Sequence, residues 1–300
     1  MLILGNAEDV HARHLHEALT VAAAIAHYFD SRWFPTRASL SWQPGTPTGS
    51  IRLPDGHRLS LSDIRSVFWR SFGGAYIPEL GDADRARIAT NDAMSALRSL
   101  MQVGSIRWVN SWQAYQFHKE KPLQLDTVRQ LGVAIPKTLI SNDPDDIREF
   151  SARCDRPIFK PVYGGAHTQF VTPEHLEPSR LKLALQIAPV TLQEYIPGTN
   201  IRTYVIGESV FAAEIRSPAV DFREDTAAEL IPIELPDAVR QHGLAIRQAL
   251  FLEWTAIDWR RQPTGEYIFL EANPSPMFIY FEKQTGFPIT QKLLDLLLDR

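Results

Sequence analysis

The chain holds a single cysteine, Cys154, among its 300 residues. No internal disulfide can form, and such sparing use of thiols fits a reducing compartment. Cys154 itself reads as a small half-buried thiol. Basic charge is not in excess either: 31 Lys and Arg stand against 35 Asp and Glu, a formal net charge of −4. That balance argues against a nucleic-acid-binding or membrane-surface protein. No apolar run approaches the roughly 20 residues that cross a bilayer. The opening Met1-Leu2-Ile3-Leu4-Gly5-Asn6 is too short, and lacks the basic flank, for a signal peptide. The expectation is a soluble, cytoplasmic protein with no nucleic-acid and no membrane partner. G-x-G-x-x-G and G-x-x-x-x-G-K-[ST] are absent, which excludes the two commonest nucleotide loops, and so is G-x-S-x-G. The histidines show no metal-ligand spacing; His11, His14 and His16 cluster at a helix start, where solvated side chains are the plain reading. Repeats and low-complexity segments are missing too.

What is present supports two or three lobes: an apolar content of 44% over this length fills a sizeable core. Residues 1–110 alternate strand and helix, an α/β pattern. Leu2–Leu4 reads as a strand, His14–Phe29 as a helix, and Pro54-Asp55-Gly56 as the turn of a hairpin. Val67-Phe68-Trp69 is a buried-type strand ending at Arg70, Ala83–Met101 a helix and Trp108-Val109-Asn110 a short strand. A second unit, 111–190, has a helix from Lys121 with Pro122 in its first turn and Gly132 at its end. Strands at Ile135–Ile140 and Pro157–Val162, a helix from Pro144 to Phe150 and a return strand at Thr168–Val171 follow. A third unit, 191–300, carries strands at Val190–Tyr195, Arg202–Ile206 and Ser209–Ile215, a helix at Pro236–Leu250 and a closing helix at Thr290–Leu298.

The third unit also holds the most informative stretch. Ala256–Trp259 and Tyr267–Asn273 read as two apolar strands joined by a turn at Gln262-Pro263-Thr264-Gly265. Asp258 is placed at the end of the first strand; Glu271 and Asn273, two apart, share one face of the second. Three hard oxygen donors brought together by a hairpin suit Mg²⁺. Exposed strand-end acids are the plainer alternative, but these acids sit among Ile257, Ile268, Phe269 and Leu270, where an unpaired charge is costly. Lys160 precedes the turn Gly164-Gly165, a combination that reaches phosphate oxygens or is simply a hairpin with a snorkelling lysine. Gln193-Glu194-Tyr195-Ile196 leaves a strand with backbone donors and acceptors able to read an adenine edge, or is an ordinary strand end. Arg202, Arg216 and Arg223 suit carboxylate or phosphate groups, or are surface ion pairs.

In order and approximate spacing, Lys121, Lys160 with Gly164-Gly165, Gln193–Ile196, Asp258 and Glu271-x-Asn273 resemble the ATP-grasp superfamily over about residues 110 to 300. A closer resemblance is to the branch of the ribosomal-protein glutamate ligases and the microviridin-type (graspetide) peptide ligases. It is carried by Lys121–Leu125 through Gly132–Asn142, by Phe211–Ile215 with Asp221-Phe222-Arg223, and by Glu271–Pro274 with Glu282–Ile289. The first lobe is similar to that branch's N-terminal domain through Asp9, His11, Phe34-Pro35 and Val67–Arg70. The resemblance implies an α/β fold, an ATP-grasp with an N-terminal pre-grasp domain, and a ligase that joins a carboxylate to an amine or alcohol through an acyl-phosphate. ATP would lie on Lys121, Lys160, Gly164, Gly165, Gln193, Glu194, Tyr195, Ile196 and Asn200, with Mg²⁺ on Asp258, Glu271 and Asn273. Arg202, then Arg223 and Arg216, would hold the carboxylate or acyl-phosphate, and Arg70 the acceptor. A peptide or a small carboxylate is the substrate, and the reading admits a homodimer; a small-molecule amino-acid ligase and a non-catalytic nucleotide-binding partner are the alternatives. Asn200 stands where many relatives place an acid for the ribose, and Pro274–Phe278 replaces the crosslinking enzymes' glycine- and tryptophan-containing continuation.

Overall fold

Leu2, Ile3 and Leu4 are all essentially solvent-free, and they form β1 (Leu2–Leu4). A computed structural model describes residues 1–46, 48–163, 168–217 and 228–298. The chain divides into two units: the first comprises Met1–Ala114, Phe251–Trp254 and Ser275–Arg300, the second Tyr115–Leu250 and Thr255–Pro274.

In the first unit α1 (Val10–Val21) follows β1, and β2 is His27–Phe29. The expected helix at His14–Phe29 is therefore displaced. The Asp9 carboxylate accepts hydrogen bonds from the backbone N–H groups of His11 and Ala12, which starts the helix four residues sooner. It ends where Ala23 turns to φ 58°, and His27, Tyr28 and Phe29 pair in parallel with β1 instead. A hairpin sheet of β3 (Ser39–Trp42), β4 (Gly49–Arg52) and β5 (Arg58–Ser60) turns at Pro54-Asp55-Gly56 as expected. β6 (Ser66–Trp69), α2 (Ala83–Leu100) and β7 (Arg107–Val109) complete a parallel sheet of order β2-β1-β6-β7.

α3 (Trp112–Lys119) leads into the second unit and α4 (Lys121–Gln130) ends with Gly132 at φ 78°, the left-handed conformation expected of a glycine after a helix. β8 (Thr138–Ser141), α5 (Pro144–Arg153), β9 (Pro157–Pro161), β10 (Gln169–Phe170), α6 (Pro178–Leu185) and β11 (Val190–Glu194) form an antiparallel sheet of order β10-β9-β11-β8 with its helices. Ile147, Leu181, Leu185 and Leu192 are its core. A larger sheet then runs through β12 (Thr199–Ile206), β13 (Ser209–Arg216), β14 (Glu229–Ile233), β15 (Trp254–Arg261) and β16 (Tyr267–Asn273), in the order β14-β13-β12-β15-β16. α7 (Asp237–Ala249) lies close on one face: a Cβ on Gly243 would sit 3.5 Å from Val205 and 3.9 Å from Ile257. α8 (Ile279–Thr285) and α9 (Ile289–Leu298) return to the first unit.

Alternation in β12 and β15 puts Val205 and Ile257 toward α7 and leaves Asn200, Arg202, Asp258 and Arg260 on the opposite face. β16 adds to this polar face through an irregularity. Asp258 pairs with Glu271 but Trp259 pairs with Phe269, so Leu270 is an extra residue. A bulge re-aims side chains: Phe269 stays fully buried against Trp259, with ring centroids 5.8 Å apart, while Glu271 stays beside Asp258. Among the described residues no helix is long and apolar enough to cross a membrane.

Candidate active site

The polar face of the larger sheet, together with α4 and β9, assembles most of the residues singled out from the sequence, all within the second unit. Asp258 is not at a strand end. It lies inside β15, directly across from Glu271, so the acids meet by cross-strand pairing and not at the turn. Asn273, paired with Ala256, lies on the same face one step further along.

Neither acid is unpaired. Arg202 grips Asp258 with both arms, Nε to Oδ1 and Nη2 to Oδ2, each at 2.7 Å. Burial works against the Arg202 charge, and the adjoining Asp258 carboxylate more than restores it, so the guanidinium is held cationic. Lys121, at the start of α4, forms an ion pair with Glu271. The amide of Gln124, one helical turn on, accepts from the N–H of Ala272 at 2.8 Å and donates to its carbonyl at 3.1 Å. A buried glutamine thereby completes the hydrogen bonding of the β16 backbone between Glu271 and Asn273. His118, near Lys121 and Glu271, is held neutral: burial, then the Lys121 charge, lower its pKa to about 4. Lys121, Lys160 and Glu271 line one small cavity with Thr191, Ile140 and Leu270.

Lys160 donates to Gln193 Oε1 at 3.1 Å, and Gln193 donates in turn to Thr138 Oγ1 at 2.9 Å. The backbone of the next residues differs from the expectation of open donors. The N–H of Glu194 is taken by the carbonyl of Lys137, and that of Tyr195 by the carbonyl of Arg156, each at 3.0 Å. The Glu194 carboxylate accepts from the Lys137 N–H at 2.8 Å. Asn200 is buried, with Oδ1 accepting from Arg260.

Arg216 ends β13 exposed and pairs with Glu214 at 3.0 Å, a surface ion pair. Arg261 joins it on Glu214; burial alone would raise that carboxyl's pKa, and the two guanidiniums outweigh burial and lower it. Arg223, Gly164 and Gly165 lie outside the described residues. In the first unit Arg70 is ion-paired with Asp9, at 3.0 Å. Its Nη1 also donates to the Ser275 carbonyl at 2.8 Å and Oγ at 2.9 Å. His11 is not solvated: it is 7% exposed and its Nδ1 accepts from the Phe278 N–H at 3.4 Å.

Sequence reading missed Gln124, His118 and Arg260. Gln124 and His118 carried one signal, a polar residue on the apolar face of a helix; Arg260 carried another, an arginine two residues from Asp258 in an apolar strand.

The model of a RimK-like ATP-grasp domain matches residues 118–297. The chain belongs to this family. It is an ATP-grasp ligase, and the α/β fold expected from the ordered motifs is met. Among curated relatives, the ribosomal protein bS6–L-glutamate ligase of Escherichia coli O81 (strain ED1a) is 26% identical over 236 residues, 73% of this chain and 75% of that protein. Among solved structures, the ATP-grasp ligase PsnB complexed with its minimal precursor matches at a TM-score of 0.86 and 28% identity, covering 99% of this chain and 98% of that one. PsnB complexed with a phosphomimetic variant of its precursor, Mg and ADP matches at 0.84 and 28%, covering 99% and 97%. The macrocyclase MdnC bound with precursor peptide MdnA, from Microcystis aeruginosa MRC, matches at 0.86 and 26%, covering 100% and 99%.

Proposed function

We propose that this ATP-grasp ligase modifies a peptide, joining a side-chain carboxylate to an amine or hydroxyl as an amide or ester. The observation that carries this reading is the extent of the likeness. PsnB and MdnC, both solved with precursor peptides, match over 99–100% of this chain, including the first 114 residues assigned to the first unit. The bS6 ligase matches over 73%.

In the proposed reaction the γ-phosphoryl of ATP passes to an oxygen of the substrate carboxylate, releasing ADP. The amine or hydroxyl then attacks the carbonyl carbon of the acyl-phosphate and loses its proton, and inorganic phosphate leaves. Phosphoryl transfer asks the protein chiefly for positioning and charge compensation. Two carboxylates and an amide oxygen on one sheet face are a hard donor set that fits Mg²⁺. Asp258, Glu271 and Asn273 would hold it, and it would supply neutralisation of phosphate charge. Lys121 and Lys160 are assigned to the α- and β-phosphates, and Gly164-Gly165, outside the described residues, to the same role. Gln193–Ile196 is assigned to the base and Asn200 to the ribose. Arg202, anchored on Asp258, is our first candidate for holding the carboxylate or acyl-phosphate; Arg223 and then Arg216 follow. Arg70 is assigned to the acceptor side, with the Asp9–Arg70–Ser275 hydrogen bonds fixing its direction.

Release of ADP and inorganic phosphate on adding acid-containing peptides tests the reading, with loss of one water from an internally crosslinked peptide, or addition of the partner's mass less one water when two molecules are joined. ADP release with amino acids or small metabolites alone would favour the small-molecule ligase, and nucleotide binding without release would favour a non-catalytic partner.

A further inference from the structure

Arg260 is a buried cation, 9% exposed, on the polar face of β15 two residues beyond Asp258. Such a charge usually sits against a carboxylate, because an unpaired buried ion is costly. Among the described residues it has no carboxylate partner. Its fork meets three neutral oxygens of the segment between β11 and β12. Nε donates to the Ile196 carbonyl at 2.9 Å, Nη1 to Asn200 Oδ1 at 2.8 Å and Nη2 to the Tyr195 hydroxyl at 3.0 Å. The guanidinium carbon also lies 5.4 Å from the centre of the Tyr195 ring, whose other cationic neighbour is Arg156 at 4.7 Å.

The same segment is pressed against the end of β15 by its backbone. Gly198 has φ 136°, and a Cβ there would fall 2.1 Å from the Arg261 carbonyl oxygen. Only glycine fits that approach. Side chain and backbone therefore fasten Tyr195–Asn200 to the strand that bears Asp258.

Two consequences follow from donor and acceptor chemistry. The N–H of Ile196 belongs to the Tyr195–Ile196 peptide, and Arg260 pins a group on either side of that peptide, the Tyr195 hydroxyl and the Ile196 carbonyl, which restrains it. Unlike the N–H groups of Glu194 and Tyr195, it has no acceptor among the described residues. With Oδ1 of Asn200 occupied by a cation, its amide cannot flip, and the NH₂ end is the one left to meet another group. An aspartate or glutamate at this place would accept from a ribose hydroxyl; this asparagine, with Oδ1 taken, would donate to one.

Resting on the assignment of Gln193–Asn200 to the nucleotide, we infer that Arg260 is the positioning residue for nucleotide selectivity. It aims the Ile196 N–H at the base and the Asn200 amide at the ribose, and fastens both to the strand that bears Asp258.

The test is equilibrium binding of ADP, 2′-deoxy-ADP and GDP to the full chain, with Arg260→Lys, Arg260→Gln and Asn200→Ala compared. In the wild type ADP is preferred to each analogue by about tenfold or more, since a site built to hydrogen-bond a group rejects analogues lacking it. Arg260→Gln brings both preferences toward one, and Arg260→Lys, which keeps one donor for three acceptors, lies between. Asn200→Ala loses the ribose preference and keeps the base preference. Wild-type ratios in folded Arg260→Lys and Arg260→Gln overturn the inference. If those variants do not fold, Tyr195→Phe and Asn200→Ala decide it, and unchanged ratios in both overturn it. A wild type that binds none of the three nucleotides instead overturns the nucleotide assignment on which it rests.

Discussion

Asp258 and Glu271 stand directly opposite one another on β15 and β16, and each carboxylate is met by a cation from a different element. Arg202 of β12 holds the first and Lys121 of α4 the second. The two pairs differ in setting: the Arg202 and Asp258 side chains are 16% and 12% exposed, those of Lys121 and Glu271 24% and 27%. On the proposed reading, that difference separates the effects expected of each acid on the fold and on the reaction.

Glu271→Ala is expected to lower kcat by about 100-fold or more while the fold persists, because transition-state charge loses part of its compensation. Lys121, a quarter exposed, can then be hydrated. ADP release and thermal unfolding measured side by side check this; near-normal turnover at saturating Mg²⁺ would remove Glu271 from the metal site.

Asp258→Ala is expected to damage both properties. It leaves the buried Arg202 guanidinium without its carboxylate, and breaking a buried pair on one side costs about 3–5 kcal/mol. Denaturant unfolding reads that loss directly. A variant as stable as the wild type would mean that Arg202 finds another partner, and the pair would then not be structural.

Gln124→Leu is expected to cost about 1–3 kcal/mol, since the N–H and carbonyl of Ala272 lose their partner in a buried place. Because Ala272 lies between Glu271 and Asn273, the apparent Mg²⁺ requirement for ADP release should rise as well. Stability lost with an unchanged Mg²⁺ dependence would confine Gln124 to a packing role.

His11 gives a pH dependence whose sign can be worked out. Burial, then the Arg70 charge, lower its pKa to about 4 in the folded protein, against 6.5 ordinarily. Above 6.5 neither state binds the proton and His11 contributes no dependence. As pH falls from 6.5 toward 4 the unfolded chain takes up a proton that the folded one refuses, so stability falls by roughly 1.4 kcal/mol per pH unit at most. Folded His11 is the acceptor for the Phe278 N–H, a role that the imidazolium cannot fill. Unfolding free energy measured between pH 7 and 4 in the wild type and His11→Gln checks it: the variant should lose about one proton's worth of slope, and parallel curves would refute it.

Much of the fold was legible because its signals are local. The turn chemistry of Pro54-Asp55-Gly56 and Gln262–Gly265, and the Pro122 and Gly132 ends of α4, each depend on neighbours within a few residues. The ordered acids and lysines, with the Gln193–Ile196 segment, sufficed for the family. The extent of α1 was misjudged where the Asp9 cap and the pairing of His27–Phe29 with β1 overrode an apolar helical pattern.

Tertiary structure alone decided which groups meet. The oxygens that Arg260 reaches are 60 to 65 residues away in the chain, Asp258 is 56 from Arg202, and Glu271 is 150 from Lys121. No periodicity carries information over such separations. Nor does alternation foresee the extra residue Leu270, which lets Phe269 enter the core while Glu271, two positions on, remains with Asp258. The sequence by itself determined the donor types and the strands that bear them. Packing against α7, the bulge in β16 and the need to compensate buried charge decided which cation holds which oxygen.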